Sequence, residues 1–345
     1  MDREQSGRKN GNVSVELIVP VYRPGERLQE LLKRMYCQTL LPEKISLLVT
    51  GTSQEFLRIR EKVLSGEEER RKAAAVCGKR KTAVLPKLSF RRIDPPEFDH
   101  GGTRHLGASQ SRADFLLFMT EDAVPAGRDL VEALVNASVT PAGSDEIAAV
   151  YARQLPFSDS KVLERMSRRY NYPPYSRIQT KAALPRLGIK TYFCSNVCAL
   201  YRRDLYEKMG GFVGPAIFNE DMVFAASLIR SGYAVAYEAS ARVFHSHNYS
   251  GWQQMRRNFD LGVSQAMHPE VFAEVPSEGE GIRLVKSMAA SLCRKGRFLT
   301  VGQLVWQSGC KYTGYLLGKH YASLPRFLVR ILTMNKRYWE HEAGL

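Results

Sequence analysis

Acidic residues are scarce beside basic ones. Over 345 residues, 35 Asp and Glu face 50 Lys and Arg, which leaves a formal charge of +15. Such an excess implies an anionic partner: nucleic acid, a phosphorylated substrate or a membrane surface. No apolar run approaches the roughly 20 residues that a membrane-spanning helix needs. The opening stretch, MDREQSGRKNGN, lacks the apolar core of a signal peptide. The six cysteines form no C-x-x-C pair and no dense framework, and Cys194 and Cys198 lie in an apolar stretch that suits core thiols. There is no internal repeat and no low-complexity tract. These absences describe a reduced, cytoplasmic protein, long enough for two domains or one large one.

What is present centres on Phe115 to Pro125. The apolar run Phe115-Leu116-Leu117-Phe118-Met119 reads as a short buried strand. It ends on Thr120-Glu121-Asp122, and Pro125 is placed to start the helix suggested by Leu130, Val131, Leu134 and Val135. A carboxylate therefore sits at the carboxyl end of a central strand, where ligands bind in open α/β sheets. Asp122 there either holds a divalent cation that in turn holds a diphosphate, or caps the next helix.

Upstream, residues 1–12 read as a disordered tail. Val13 to Tyr22 is β-prone, Leu28, Leu31, Leu32 and Met35 follow at helical spacing, and Ile45 to Val49 is a second strand ending at Thr50-Gly51. Glu55 to Lys81 reads as a solvated helix, and Lys87 to Ile93 as a third strand. In FDHGGTRHLGASQSRAD, Gly101 and Gly102 allow close backbone approach to a ligand, and Arg104 opens a helix that favours phosphate. Strand–helix alternation up to Val150 predicts a nucleotide half-site with its loops at the carboxyl ends.

From Tyr151 the pattern changes. SRRYNYPPYSRIQTKAAL, rich in Tyr, Arg and Pro, suits either binding or a surface loop. Thr191 to Tyr201 reads as a buried strand, followed by a short helix that ends at Gly210-Gly211-Phe212. Glu220-Asp221 opens an apolar helix, a strand follows, and His245 and His247 come after it at ligand-like spacing. Beyond Trp252 the chain is helical. Between Gly281 and Arg337, apolar residues such as Leu284, Val285, Met288 and Leu292 recur among lysines and arginines. Such a stripe either packs on the catalytic domain or lies on an anionic leaflet.

In this order the motifs resemble family 2 glycosyltransferases of the GT-A fold, near the rhamnosyltransferases, over roughly Val13 to Tyr249. VELIVPVY resembles the first nucleotide-contacting strand, FDHGGTRHLGAS the glycine–arginine loop, and TED at Thr120 to Asp122 the metal-binding D-x-D. GGF at 210–212 and NED at 219–221 resemble the acceptor-side loop and acidic motif, and HSH the late metal-binding histidine. The resemblance implies an α/β fold with a mixed, mainly parallel sheet flanked by helices and a helical extension. It divides the chain into a catalytic domain at 13–250, with a nucleotide half at 13–150 and an acceptor half at 151–250, and a C-terminal region at 251–345. It implies inverting transfer of a sugar, such as rhamnose, from a dTDP- or UDP-linked donor to a glycan or lipid-linked glycan, with Mn or Mg as cofactor.

Carried over residue by residue, the resemblance assigns Pro20, Val21, Tyr22, Thr50, Gly101, Arg104, Glu121 and Asp122 to the nucleotide sugar. Asp122, His245 and His247 go to the metal, and Ser195, Asn196, Gly211 and Phe212 to the acceptor side. Asp221 is the expected general base, with Glu220 beside it. Thr50-Gly51 stands where an aspartate usually reads the base, Thr120 replaces the first aspartate of D-x-D, and His105 an asparagine. The enzyme is expected in the cytoplasm, either free there or docked peripherally on the inner face of the cell membrane, and without nucleic acid as a partner. Two alternatives stay open. A nucleotidyltransferase would need a basic glycine-rich loop after the first strand, where Val21-Tyr22-Arg23-Pro24-Gly25 stands. A nucleic-acid binder would use the +15 charge, but acidic residues occupy the expected ligand position.

Overall fold

In the first strand, β1 (Val15–Val21), alternate side chains serve two different cores. Val15, Leu17, Val19 and Val21 enter one, while Ile18 enters the other. A strand covered on both faces needs apolar residues at nearly every position, which is why these strands read as unbroken runs. The computed structural model describes residues 13–339 apart from 80–83, 141, 142, 144, 274, 276 and 277. The expected tail at 1–12 and the end of the helix expected to reach Lys81 lie outside the described residues.

The first half is a chain of parallel crossovers. After β1 come α1 (Glu26–Met35), β2 (Lys44–Thr50), α2 (Ser53–Ser65), α3 (Glu67–Val76), β3 (Lys87–Ile93), α4 (His100–Ala108) and β4 (Phe115–Met119). The helix expected from Glu55 is thus two helices, divided at Gly66. Next are β5 (Val124–Pro125), α5 (Leu130–Val139), β6 (Ile147–Leu155), α6 (Val162–Asn171), β7 (Arg177–Gln179) and α7 (Leu184–Leu187). Then follow β8 (Cys198–Arg202), α8 (Arg203–Lys208), α9 (Glu220–Arg230) and β9 (Ala234–Phe244). The order in the sheet is β3-β2-β1-β4-β8-β6-β9-β5, with β7 beside β9.

Several expectations change here. Pro125 does not start a helix; it lies in β5, paired with Val243, and the helix begins at Leu130. Pro125 has no N–H to donate, so a two-residue edge strand suits it. The sheet stays mixed and mainly parallel: most of its pairing lies in the parallel ladders of β1 with β2 and β4, β2 with β3, and β6 with β9, while β8 runs antiparallel to β4 and β6, and β5 and β7 run antiparallel to β9. β6 passes through position 150, so one continuous sheet serves both expected halves. The strand expected from Thr191 starts only at Cys198. In the Tyr/Arg/Pro segment, Tyr172 is core, edge-on to Phe193 and near Tyr237.

The C-terminal helices are α10 (Gly251–Met267), α11 (Pro269–Phe272), α12 (Glu278–Arg294), α13 (Phe298–Lys319) and α14 (Arg326–Leu332). α10 and α13 cross at backbone contact. A Cβ on Gly314 would lie 2.0 Å from the Met255 carbonyl oxygen, and one on Gly318 2.1 Å from that of Phe259. Asp260 of α10 then accepts hydrogen bonds from Thr333 Oγ1 (2.6 Å) and Met334 N (2.9 Å), folding the segment after α14 back onto the domain. The stripe of α12 packs on the catalytic domain, where Met288 and Leu292 meet Leu163 of α6. The turn into α13 stays open to solvent.

Candidate active site

β9 ends beside the tip of β6, and the turn after β4 reaches the same end of the sheet from across β8. Past Met119, Ala123 N donates to Thr120 O, and this tight turn carries Glu121 and Asp122 out of the sheet. β9 ends at Phe244, and His245 N donates to Leu155 O at the end of β6. His245, His247 and Asp122 thereby converge. Asp122 Oδ1 lies 3.6 Å from His245 Nε2, Asp122 Oδ2 3.4 Å from His247 Nε2, and the two Nε2 atoms are 3.1 Å apart.

The surroundings set the protonation of this cluster. Gln154 Oε1 accepts from the guanidinium of Arg168 and lies 3.1 Å from His245 Nδ1. His245 therefore carries its proton on Nδ1, and its Nε2 lone pair faces Asp122 and His247. Burial, reinforced by Arg168, holds the His245 pKa well below the usual histidine value; burial also lowers that of His247, against the pull of Asp122. Neutral imidazoles and a carboxylate are a ligand set for a borderline divalent cation. One ligand atom from each residue lies within 4.8 Å of the others. The donor set fits such an ion, and the histidines supply what Thr120 does not.

The second centre is at the start of α9. Asn219 adopts a left-handed conformation (φ 61°) and turns Glu220 and Asp221 to the sheet. Their roles divide. Glu220 is buried, paired with Arg104 Nη1 at 3.1 Å, and accepts from Asn196 Nδ2. Burial raises its pKa, but Arg104 and His100 more than offset this and hold it below the ordinary value. Asp221 accepts from the backbone N–H groups of Asn196 (2.9 Å) and Met222 (2.8 Å). Burial, then the charge of Glu220, pushes its pKa up to about 7. A carboxylate poised there is suited to general-base work.

A short relay joins the two centres. His245 contacts Gln154, Gln154 Nε2 donates to Ser195 Oγ (3.0 Å), and Asn196 next to it donates to Asp221. Ser195 and Asn196, expected on the acceptor side, thus lie between the Asp122–His245–His247 cluster and Asp221, and Asn196 is buried and donates to both acids. Sequence reasoning missed Gln154 because its role depends on Arg168, Ser195 and His245, none of them near it in the chain.

Other expected residues sit elsewhere in function. Arg104 is buried, with Nη1 shared between Glu220 (3.1 Å) and the His100 carbonyl (2.8 Å) and Nε without a partner. Gly101 is required by packing: a Cβ there would lie 1.8 Å from the Val213 carbonyl oxygen. Phe212 lies in an aromatic cluster with Phe118, Tyr201, Tyr206 and Phe224, and a Cβ on Gly211 would strike His105, so both build the scaffold and not an acceptor surface. Glu220 is engaged by Arg104. Glu121 accepts from Tyr22 N (2.9 Å), tying the end of β1 to the turn after β4, and burial raises its pKa to about 8. Pro20, Val21 and Thr50 occupy the ends of β1 and β2, and Thr50 Oγ1 is buried without a partner.

The family described as glycosyl transferase family 2 matches residues 86–210, a span that holds Asp122 but not Asp221, His245 or His247. The O-antigen chain rhamnosyltransferase RfbN of Salmonella typhimurium strain LT2 is 35% identical over 331 residues, covering 95% of this chain and 97% of the relative. The O-antigen chain rhamnosyltransferase WbaN of Salmonella anatum is 39% identical over 251 residues, covering 72% and 78%. Among solved structures, the mannosyltransferase PcManGT from Pyrobaculum calidifontis, in complex with GDP-Man and Mn2+, superposes with a TM-score of 0.52 at 15% identity, covering 97% of this chain and 85% of that one. Its likeness concerns the fold, which is GT-A. With a relative this similar along nearly its whole length, the chain belongs to glycosyl transferase family 2 and is a glycosyltransferase.

Proposed function

We propose that the enzyme transfers rhamnose from a dTDP- or UDP-linked donor to a hydroxyl of a growing, lipid-linked O-antigen glycan, with inversion at the anomeric carbon. The observation that carries this reading is the relay from the Asp122–His245–His247 cluster to Asp221, which sets a diphosphate-side cation site beside a single available base. The names of the two Salmonella relatives supply the sugar and the polymer. Asp122, His245 and His247 would hold Mn2+ or Mg2+, whose chemistry is to neutralise the leaving diphosphate. Asp221 takes the proton of the attacking hydroxyl. Glu220 and Asn196 orient Asp221, and Arg104 keeps Glu220 ionised. One free carboxylate suits one displacement, with no covalent intermediate. Transfer of labelled rhamnose from dTDP- and UDP-linked donors to a lipid-linked glycan, with Mn2+ and with EDTA, tests the reading. No transfer from either donor to any glycan acceptor would overturn it.

The same reading places the enzyme on the inner face of the cell membrane. Among the described residues no helix is long and apolar enough to cross a bilayer. At the corner between α12 and α13, however, Arg294, Lys295 and Arg297 adjoin Phe298 and Leu299, which are 68% and 91% exposed. Trp306, 68% exposed, follows two turns later on a helix that contains no acidic residue. Cations beside exposed apolar tips suit an anionic leaflet. Burying a large apolar side chain is worth about 1.5–3 kcal/mol, so the double variant Phe298→Glu, Leu299→Glu is expected to lower flotation with anionic liposomes at least tenfold. Unchanged flotation would rule out this corner as the contact.

A further inference from the structure

Cations outnumber acids on the histidine side of the site, where Arg27, Arg168 and Arg257 all act on His245. Arg168 is satisfied: Glu164 lies 2.7 Å from its Nε, and Gln154 accepts from Nη1. Two others are not. Arg257 of α10 lies over the rings of Phe218 (4.7 Å) and Tyr249 (6.0 Å), and Tyr249 stacks on the metal-side His247 with ring centroids 4.9 Å apart. Lys311 of α13 is half-buried. Neither Arg257 nor Lys311 has an ion pair or hydrogen bond among the described residues. Burial lowers the Lys311 pKa; Glu164 opposes this, while Arg257 and Arg168 add to it, so these groups feel one another.

An ammonium withdrawn from water beside two guanidiniums, with one carboxylate already engaged by Arg168, is an unfavourable arrangement by itself. An anion of more than one charge among them would reverse the sign. We infer that Arg257 and Lys311, both supplied by the C-terminal helices, form a phosphate-binding cradle for the diphosphate of the nucleotide donor, next to the Asp122–His245–His247 cluster. This rests on the donor reading above and deepens it. The close α10–α13 crossing, where Gly314 meets Met255 and Gly318 meets Phe259 on either side of Arg257, brings together the two helices that carry these cations. Arg337, further along the same C-terminal region, reaches the other side of the donor site, 4.9 Å from the ring of Tyr22 at the end of β1.

The test is calorimetric titration of the full chain with inorganic pyrophosphate, UDP, dTDP and the matching nucleosides, each in Mn2+ and in EDTA. Wild type is compared with Arg257→Gln, Lys311→Gln, the double variant, and the charge-preserving Arg257→Lys and Lys311→Arg. A charge-assisted contact is worth roughly tenfold to a hundredfold in affinity. The glutamine variants are expected to lose at least tenfold for pyrophosphate and both nucleoside diphosphates, in EDTA as in Mn2+, with nucleoside binding unchanged. The charge-preserving variants, which do not depend on the fold tolerating a lost charge, are expected to keep most of the affinity. Unchanged diphosphate affinity in the double variant, equal losses for diphosphates and nucleosides, or no pyrophosphate binding by wild type would each overturn the cradle. Unchanged diphosphate binding with a raised KM for the lipid-linked acceptor would move the cations to the acceptor's phosphate and also overturn it. Pyrophosphate held through these residues, with neither UDP nor dTDP bound, would leave the cradle standing and sink the donor reading.

Discussion

Replacing Asp221 with asparagine is expected to cut turnover by about a hundredfold to ten-thousandfold, the usual worth of a positioned base, while donor binding stays within a factor of two or three. The separation follows from the contacts. Asp221 touches the backbone of Asn196 and Met222 and no metal-side residue directly. The pH profile sharpens the test. With the pKa raised to about 7, a base that must be ionised to act gives a rate that rises with pH and levels above about 7. Below that value kcat/KM for wild type falls tenfold per pH unit if one proton is involved. In Asp221→Asn this acidic limb disappears from the residual rate. Parallel losses of donor affinity and turnover, with the limb intact, would instead assign Asp221 a structural role.

Asp122→Asn is expected to weaken binding of the nucleotide diphosphate by on the order of a hundredfold in Mn2+ and by little in EDTA. Asparagine keeps the size of the side chain but removes the one anionic member of the cluster, leaving two neutral imidazoles. Titration with UDP and dTDP at fixed Mn2+ measures it, and electron paramagnetic resonance of Mn2+ supplies a readout independent of turnover. Equal affinities for the variant and wild type in both conditions would remove Asp122 from the metal site.

The readable parts of this chain were those whose cause is local. Strands β1, β2 and β4 announce themselves because burial on both faces demands consecutive apolar residues. Asp122, His245 and His247 were readable because each follows the end of a strand. What failed was decided at long range. Thr191 and Phe193 looked like strand, yet their carbonyls are taken by the side chain of Gln179 and not by a neighbouring strand. Gly101 does signal a close approach, but the approaching atom belongs to Val213 and not to a ligand. Arg104 has the right chemistry for phosphate, and a buried Glu220, 116 positions away, claims it first. Tyr172 shows that aromatic-rich composition cannot tell a binding loop from a core. Arg257 and Lys311 could not be placed at the site before the helix crossing that brings them there was known.

That β6 runs unbroken through residue 150 also limits how such enzymes can be recombined. Splicing the first 150 residues of one relative to the remainder of another, in search of new donor–acceptor combinations, would cut a strand paired with both β8 and β9. Each hybrid would carry one parent's ladder register into the other parent's core. A seam between Tyr249 and α10 spares the sheet but separates the Asp122–His245–His247 cluster from α10 and α13, so a chimera joined there inherits that cluster and its C-terminal cations from different ancestors.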